Sequence, residues 1–264
     1  MKEICIGDIV VYDSNSNLTP LVFVHAFPLT HKMWKAQVNF FSDHFRVITY
    51  DIRGFGKSID SYHYLYTMED FADDLLNIID YLELSNINIC GLSMGGYVVQ
   101  RAVTKVPSKF STMILCDTQA NRDDQITLLN RTKFLNKIEK IGLARFADDF
   151  MKRLLHPNSY QNKTLYKFIM DEVISQKIKG LKGASLAMAT RIDTSEYLQQ
   201  LNLPTLIVIG DNDSFTPLEK SLKLKSLLIN SNLKIISSAG HLSPLENPKE
   251  FNLYLFEFLK KYNP

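Results

Sequence analysis

The chain has 264 residues, a formal net charge of +2 and a sequence pI of about 8.3. Its hydrophobic content of 45% and charged content of 22% are typical of a globular protein with an ample core. The charge is too small to indicate nucleic-acid binding, and no apolar run approaches the roughly 18 residues of a membrane span. Acidic residues interrupt Met1–Asp13, so we expect no signal peptide and a cytoplasmic location.

The sequence predicts neither disulfides nor a metal site. Cys5, Cys90 and Cys116 are odd in number and lie in or beside apolar runs, which favours buried free thiols in a reducing compartment. No His-Glu-x-x-His or comparable cluster occurs, so we expect no metal and no cofactor.

Short apolar runs alternate with helical patterns through the first 118 residues. The predicted strands are Ile4–Tyr12 (a hairpin about Gly7-Asp8), Leu21–Val24, Arg46–Tyr50, the run from Ile87 and Ser111–Cys116. The predicted helices are Trp34–Phe41, Met68–Leu82 and the one that includes Tyr97–Ala102. Apolar strands separated by helices predict a mainly parallel sheet covered on both faces, with ligands beyond the carboxyl ends of its strands.

From about Gln119 to Ser195 the periodicity is helical throughout. The predicted helices are Leu128–Ile141, Leu143–Leu155, Leu165–Ile178 and Leu181–Ala189. The strand and helix alternation returns with Thr205–Ile209, Leu233–Ile236 and a closing helix, Pro248–Lys260. We therefore predict an α/β core, residues 1–118 and 196–264, with a helical cap, residues 119–195, inserted above the sheet edge.

A serine lies at a predicted strand-to-helix turn within Ile87–Gly96. Gly91-Leu92-Ser93-Met94-Gly95 fits the pattern Gly-x-Ser-x-Gly, in which small residues permit a tight turn that exposes the serine Oγ. A three-position match arises by chance in about one chain in ten of this length. The motif therefore needs support from partners elsewhere in the chain.

A serine nucleophile needs a base that is oriented by an acid. On a strand, turn and helix scaffold the chain order is serine, acid, histidine. Only His156 and His241 follow Ser93, and His156 lies within the predicted cap. His241, in the loop after the last predicted strand, is therefore the predicted base, and His25 is interpreted as a buried structural residue.

The acid and the oxyanion donors are expected in loops at the same sheet edge. Asp117, Asp211 and Asp213 all follow predicted strands, and the chain order alone leaves all three open. Acyl transfer also needs two N–H donors for the developing oxyanion. We predict the backbone N–H groups of Met94 and Phe27, which leaves the Phe27 side chain free to line the acyl pocket.

Together these motifs resemble the α/β-hydrolase superfamily over nearly the whole chain. The matching stretches are the oxyanion loop His25-Ala26-Phe27-Pro28, the loop Asp51–Ser58, the serine turn Gly91–Gly96, the acid segment Pro204–Pro217 and the histidine segment Ala239–Pro248. In this family the acid is the third residue after the glycine, which implies Asp213 and leaves Asp211 as a turn former. Ala26 replaces the usual glycine, which we expect to narrow the oxyanion loop.

The resemblance also narrows the reaction. Serine at the turn separates the chain from haloalkane dehalogenases and epoxide hydrolases, which use aspartate there. Ala187–Asp193 is similar to small carboxylesterases, 3-oxoadipate enol-lactonases and cofactor-free haloperoxidases, and Phe27-Pro28 resembles the last group. We expect hydrolysis of a small carboxylic ester or lactone through an acyl-enzyme, with perhydrolysis as a side activity.

The predicted cap has 14 Lys or Arg residues against 8 Asp or Glu. Solvated helix faces explain such an excess, but cations also attract anionic partners. The core is similar to that of pimeloyl-acyl-carrier-protein methyl ester esterases, so an acyl carrier protein contacting Arg122, Arg145, Lys152 and Arg153 is an alternative hypothesis. A small-molecule receptor or signalling protein of the same fold, with slow hydrolysis, is an alternative of another class.

Overall fold

The computed structural model describes residues 1–58 and 65–263. Their strands form one eight-stranded sheet. The strands are β1 Lys2–Ile6, β2 Ile9–Asp13, β3 Pro20–Val24, β4 Arg46–Tyr50, β5 Ile87–Leu92, β6 Phe110–Cys116, β7 Thr205–Gly210 and β8 Ser231–Ile236. Their order is β1-β2-β4-β3-β5-β6-β7-β8, with β2 antiparallel to both neighbours and all later pairings parallel. The predicted, mainly parallel sheet is confirmed.

Twelve α-helices occur in the described ranges. They are α1 Lys35–Phe41, α2 Met68–Tyr81, α3 Met94–Lys105, α4 Gln125–Ile141, α5 Leu143–Leu154, α6 Pro157–Gln161, α7 Lys163–Ser175, α8 Ile178–Ala189, α9 Ser195–Leu198, α10 Leu218–Leu227, α11 Ser243–Glu246 and α12 Pro248–Tyr262. Two short 3-10 turns, His31–Trp34 and Pro107–Lys109, complete the set.

Two apolar clusters pack on the opposite faces of the sheet. Along β3, Val22 and Val24 belong to one cluster, while Leu21 and Phe23 belong to the other. This alternation follows from the two-residue period of a strand, and burial on both faces explains why the strand is apolar throughout. Burying these side chains stabilises the fold by roughly 25 cal/mol per Å² of apolar surface.

Residues 119–195, here called the helical segment, leave the sheet after β6 and return before β7. All of these residues are described, and they contain α4–α8 and the first residue of α9, with no strand among them. The predicted helix Leu165–Ile178 is wrong in extent, because α7 ends at Ser175 and α8 begins at Ile178. At the break, the Gln176 side chain donates to the carbonyl of Glu172 and accepts the N–H of Gly56 at 3.2 Å. A contact with the core thus ends the helix.

Four short or weakly patterned helices were not predicted, namely α6, α9, α10 and α11. In α10 the buried residues Ser221, Leu224 and Leu227 follow a three-residue spacing that indicates one buried face. The exposed Leu218 and Leu222 blur that pattern, since apolar residues then surround the helix. The periodicity of α10 was therefore too weak for a prediction from sequence.

The cysteines differ in burial. Cys90 and Cys116 are buried on neighbouring strands, with their sulfur atoms 3.7 Å apart. Cys5 is exposed, so the expectation that all three are buried is wrong. Cys5 lies on β1, an outer strand that pairs only with β2, and one of its faces therefore stays open. No described helix is long and apolar enough to cross a bilayer, and the cytoplasmic location stays a prediction.

Candidate active site

Ser93 joins β5 to α3 in a strained turn. Its φ of 54° and ψ of −112° fall in a region that costs a non-glycine residue about 1–3 kcal/mol. Its N–H donates to the carbonyl of Cys116 at 2.9 Å, and its own carbonyl accepts the Thr118 hydroxyl at 2.9 Å. These backbone bonds hold the turn and leave Oγ at a half-buried position above the sheet edge.

Two glycines let the turn pack this tightly. A Cβ on Gly91 would lie 2.4 Å from the carbonyl oxygen of Gly95. A Cβ on Gly95 would lie 2.3 Å from the carbonyl oxygen of Val24, at the end of β3. No side chain fits at either distance, and the second contact brings the start of α3 against the loop that contains Phe27.

His241 connects Ser93 to Asp213 by hydrogen bonds. Its Nε2 lies 2.8 Å from the Oγ of Ser93, and its Nδ1 lies 2.9 Å from Oδ2 of Asp213. The imidazole and the carboxylate are buried, and the three residues follow β5, β7 and β8. The structure therefore brings together the serine, acid and histidine predicted from the sequence.

Asp213 is held by its own loop. One carboxylate oxygen accepts the N–H groups of Phe215 and Thr216 at 2.8 and 3.0 Å. The other accepts the Thr216 hydroxyl at 2.6 Å in addition to the bond from His241. Burial alone would raise the pKa of Asp213, but the charge of His241 and these hydrogen bonds hold it below its usual range.

The other candidate acids bind backbone or hydroxyl groups. Asp117 is fully buried and accepts the N–H of Gly210 at 2.9 Å and the hydroxyl of Ser243 at 2.6 Å. Asp211 accepts the N–H groups of Ser238 and Ala239 at 2.9 and 3.1 Å. Both carboxylates shape the loops around the site.

Within residues 1–58 and 65–263, no group of three or more His, Cys, Asp or Glu could hold a metal ion.

His25 and His156 bind backbone groups and not Ser93 or Asp213. The buried Nε2 of His25 accepts the N–H of Ile52 at 2.8 Å, and its Nδ1 lies 3.0 Å from the carbonyl of Ala26. Burial lowers the pKa of His25 to about 4, so the ring is neutral at neutral pH. His156 directly precedes α6 and caps its N-terminus, where its side chain accepts the N–H of Asn158. Ala26 is itself buried in the second apolar cluster, so the core accommodates its methyl group.

Five phenylalanines form a continuous row that ends at His241, here called the phenylalanine row. Its members are Phe27, Phe134, Phe146, Phe150 and Phe215. Ring centroids are 5.5 Å apart for Phe27 and Phe134, 5.8 Å for Phe134 and Phe150, and 5.5 Å for Phe150 and Phe215. Phe215 lies 5.1 Å from the His241 ring. The helical segment contributes three members that the sequence analysis left unassigned.

The basic residues singled out in the helical segment are exposed. Lys152 pairs with Asp148 at 2.8 Å, and Arg153 stacks over Phe215 at 5.1 Å. Arg122 and Arg145 also lie at the surface. Other lysines of the segment pair with its own carboxylates, as Lys137–Asp149, Lys167–Asp171 and Lys182–Glu139. These pairs favour the interpretation of the excess charge as solvated helix faces.

Comparison with known proteins gives the family. A sequence model of the alpha/beta hydrolase fold matches residues 19–248, and the chain belongs to this family. The 3-oxoadipate enol-lactonase 2 of Acinetobacter baylyi is 25% identical over 244 residues, which cover 92% of this chain and 89% of the relative. The predicted fold and the prediction of a hydrolase are confirmed.

Two solved structures support the same conclusion. A thermophilic esterase from Thermogutta terrifontis, with malate bound, has a TM-score of 0.90 and 34% identity, covering 97% of this chain and 94% of its own. A bromoperoxidase from Bacillus anthracis has a TM-score of 0.85 and 27% identity, covering 96% and 95%. Each similarity extends over almost the entire chain, so it includes the helical segment as well as the sheet.

Proposed function

We propose that this hydrolase cleaves a small carboxylic ester or lactone through an acyl-enzyme formed on Ser93. The observation that carries the proposal is the pair of hydrogen bonds, 2.8 and 2.9 Å, that link Ser93 to His241 and His241 to Asp213. The similarity to an esterase and to an enol-lactonase over more than nine-tenths of the chain supports the reaction class.

His241 acts first as a general base. Its Nε2 takes the hydroxyl proton of Ser93 as Oγ attacks the carbonyl carbon of the ester. For Nε2 to accept this proton, Nδ1 must carry the other ring hydrogen, which it donates to Asp213. The carboxylate thus fixes the tautomer and stabilises the imidazolium that forms.

The oxyanion is stabilised by the backbone N–H groups of Phe27 and Met94. Met94 is the first residue of α3, so its N–H has no acceptor within the helix and lies at the positive end of the helix dipole. The close approach of Gly95 to the end of β3 supports the second donor, because it brings the Phe27 loop beside α3. Together they supply the two donors that acyl transfer requires.

His241 gives its proton to the alkoxide that departs as the acyl-enzyme forms. The acyl-enzyme is then hydrolysed by a water molecule, which loses a proton to the same nitrogen as it attacks the ester carbonyl. That proton passes to Ser93 Oγ as the bond between Oγ and the acyl carbon breaks and the carboxylic acid leaves. Hydrogen peroxide in place of water would release a peracid. This side activity stays a prediction, supported by the similarity to a bromoperoxidase.

We further propose that the helical segment, residues 119–195, is a cap over the sheet edge and that the phenylalanine row lines the acyl pocket. Aromatic rings offer hydrocarbon surface and a negative face, which favour an apolar acyl group over a carboxylate. The ion pair of Lys152 and the stacking of Arg153 on Phe215 leave less support for an acyl-carrier-protein partner. We therefore propose a neutral substrate.

The first experiment tests Ser93 as the nucleophile. We expect Ser93→Ala to lose hydrolysis of p-nitrophenyl butyrate by at least about 10³-fold, and a fluorophosphonate to label Ser93 in the parent chain. Ser226→Ala, at an exposed serine of α10, is the matched control and should keep both activity and labelling. Label on another residue would overturn the proposal, and a stable acyl-enzyme without turnover would favour the receptor hypothesis.

The second experiment tests the charge of the substrate. p-Nitrophenyl butyrate and the mono-p-nitrophenyl ester of succinate are similar in length, but only the second has a carboxylate. We expect kcat/KM to be about tenfold or more lower for the anionic ester. A preference for the anionic ester that disappears in Arg145→Gln or Arg153→Gln would instead support the carrier-protein hypothesis.

A further inference from the structure

Glu246, at the end of α11, binds the backbone on both sides of His241. Its Oε1 accepts the N–H of Gly240 at 2.9 Å and the N–H of Leu242 at 3.1 Å. Its Oε2 accepts the N–H of His156 at 2.7 Å, in the part of the cap between α5 and α6. One carboxylate therefore links the loop of the base to the cap.

The cap also contacts the His241 backbone directly. The N–H of His241 donates to the carbonyl of Leu154 at 2.8 Å. A Cβ on Gly240 would lie 2.7 Å from both the carbonyl oxygen of Leu154 and the nitrogen of His156. The three consecutive N–H groups of residues 240–242 are thus all taken, two by Glu246 and one by the cap.

A carboxylate suits this place because it accepts hydrogen bonds at both oxygens and donates none. A glutamine would turn an NH₂ group toward at least one backbone N–H, leaving that donor without an acceptor. His241 is buried, and its ring bonds Ser93 and Asp213, with the Thr216 hydroxyl 3.4 Å from Nδ1. A displaced backbone would shift the ring relative to these partners and move its Nε2 away from Ser93.

We propose that Glu246 is a positioning residue that fixes His241 against the cap, so that the placement of the base depends on the seating of cap residues 154–156. The inference rests on the proposed function, in which His241 is the base. Cap and catalytic histidine then form one mechanical unit, and a substrate that displaces this part of the cap also displaces the base.

Two other carboxylates provide matched controls. One binds the His241 loop without contacting the cap, and the other links the cap to the core without contacting the His241 loop. Glu250 accepts the N–H of Ser237 at 2.9 Å, so it binds the start of the His241 loop, and the contacts described for it lie within Ser237–Tyr254. Glu172 on α7 binds the hydroxyl of Thr30 and the ammonium of Lys32, so it ties the cap to the core through contacts that do not include the His241 loop.

The experiment compares Glu246→Gln, Glu250→Gln and Glu172→Gln in the full chain. The measurements are kcat and KM for p-nitrophenyl butyrate, the melting temperature, and the downfield proton resonance of the His241 Nδ1–H that bonds Asp213. We expect Glu246→Gln to lower kcat about 10-fold to 100-fold with KM within about twofold, and to shift or broaden the resonance. The two controls should retain kcat within about twofold and keep the resonance.

The outcomes separate the proposal from a general loss of stability. Parental kcat and an unchanged resonance in Glu246→Gln would overturn it, as would equal losses of kcat in all three variants. If Glu246→Gln fails to fold, Glu246→Asp keeps the charge but is one methylene too short to reach both sides, and it should show the same fall in kcat. Failure of the proposed function would appear separately, as Ser93→Ala retaining activity.

Discussion

At the scale of single residues, the ionisation of His241 is set by its neighbours. Burial acts to lower the pKa of His241, but the charge and hydrogen bond of the Asp213 carboxylate outweigh burial and raise the pKa above its ordinary value. Asp117 differs, because burial and the charge of Asp213 raise its pKa well above the usual range. The site therefore favours charge on His241 and Asp213 and disfavours it on Asp117.

This electrostatic arrangement predicts that activity and stability change in opposite directions with pH. The reaction needs neutral His241, so the acid limb of kcat/KM should have its midpoint above pH 6.5, the ordinary value for histidine. A raised pKa in the folded state contributes stability that is complete below the unfolded-state pKa and is lost as pH rises through the folded-state pKa. Between these two pKa values, activity should rise while this contribution falls.

The measurement is kcat/KM for p-nitrophenyl butyrate and the free energy of unfolding in urea, each against pH. His241→Gln serves as the control, because it should remove the contribution of His241 to the dependence of unfolding free energy on pH in this window. A midpoint of the acid limb below pH 6.5, or an unchanged dependence in His241→Gln, would contradict the assignment.

The residues of the site could be predicted from sequence to different degrees. Chain order alone left His241 as the predicted base, since His25 precedes Ser93 and His156 lies in the helical segment. The same order left three aspartates, because each follows a strand, and only the family resemblance selected Asp213. The distinction is tertiary, since the carboxylate of Asp117 binds residues of β7 and α11 that lie about 90 or more positions along the chain.

At the scale of elements, α4 and α5 contribute three members of the phenylalanine row. Phe134 of α4 is the central member of the phenylalanine row, since it contacts Phe27, Phe146 and Phe150. Phe146 and Phe150 are four residues apart on α5 and thus lie on one helix face. The sequence predicted both helices, but a periodic pattern does not say which surface a helix faces, so these residues stayed unassigned.

Removing Phe134 should enlarge the acyl pocket. We expect Phe134→Ala to raise kcat/KM for p-nitrophenyl octanoate relative to the butyrate by about fivefold or more, because the longer chain occupies the space of the ring. Stability should fall by about 1–3 kcal/mol, less than for a fully buried phenylalanine, since Phe134 is half-buried. The ratio of kcat/KM values is measured from initial rates, and the free energy of unfolding is measured in urea.

Phe256→Ala is the matched control for this change. Phe256 is also half-buried and packs in an aromatic group with Phe40 and Phe41, in the cluster on the other face of the sheet. It should lose comparable stability without any change in acyl-chain preference. An equal change of preference in both variants would show that loosened packing, and not the pocket wall, is responsible.

At the scale of the whole molecule, contacts of Asp123 and Arg191 join the first and last parts of the helical segment. Arg191, nearly buried, donates to Asp123 at 2.6 Å and to the carbonyl of Asn121 at 2.7 Å, and it stacks on Tyr97 of α3 at 4.1 Å. Arg131 of α4 pairs with the same aspartate. Asp123 therefore pairs with two guanidinium groups near the points where the helical segment leaves and rejoins the sheet.

The overall fold was more predictable than this junction. Apolar runs and helical spacing were sufficient for the sheet and for the existence of a helical insertion, because both depend on local periodicity. The pairing of Asp123 with Arg191 joins residues 68 positions apart. The family resemblance drew attention to Ala187–Asp193, but no pattern in the sequence pairs its Arg191 with Asp123. Such a pair is specified by the packing of the cap on the core, which no local pattern records.

Replacing Asp123 should loosen the cap more than the sheet. In Asp123→Asn, Arg191 keeps a buried charge without its carboxylate, and breaking such a buried pair costs about 3–5 kcal/mol. Because the loss falls at the junction, amide hydrogen exchange should accelerate in α4 and α8 before it does in β5 and β6. Asp171→Asn, which breaks the exposed pair with Lys167 on α7, is the control and should leave exchange almost unchanged. Uniform acceleration through cap and sheet would show that the two unfold as one cooperative unit.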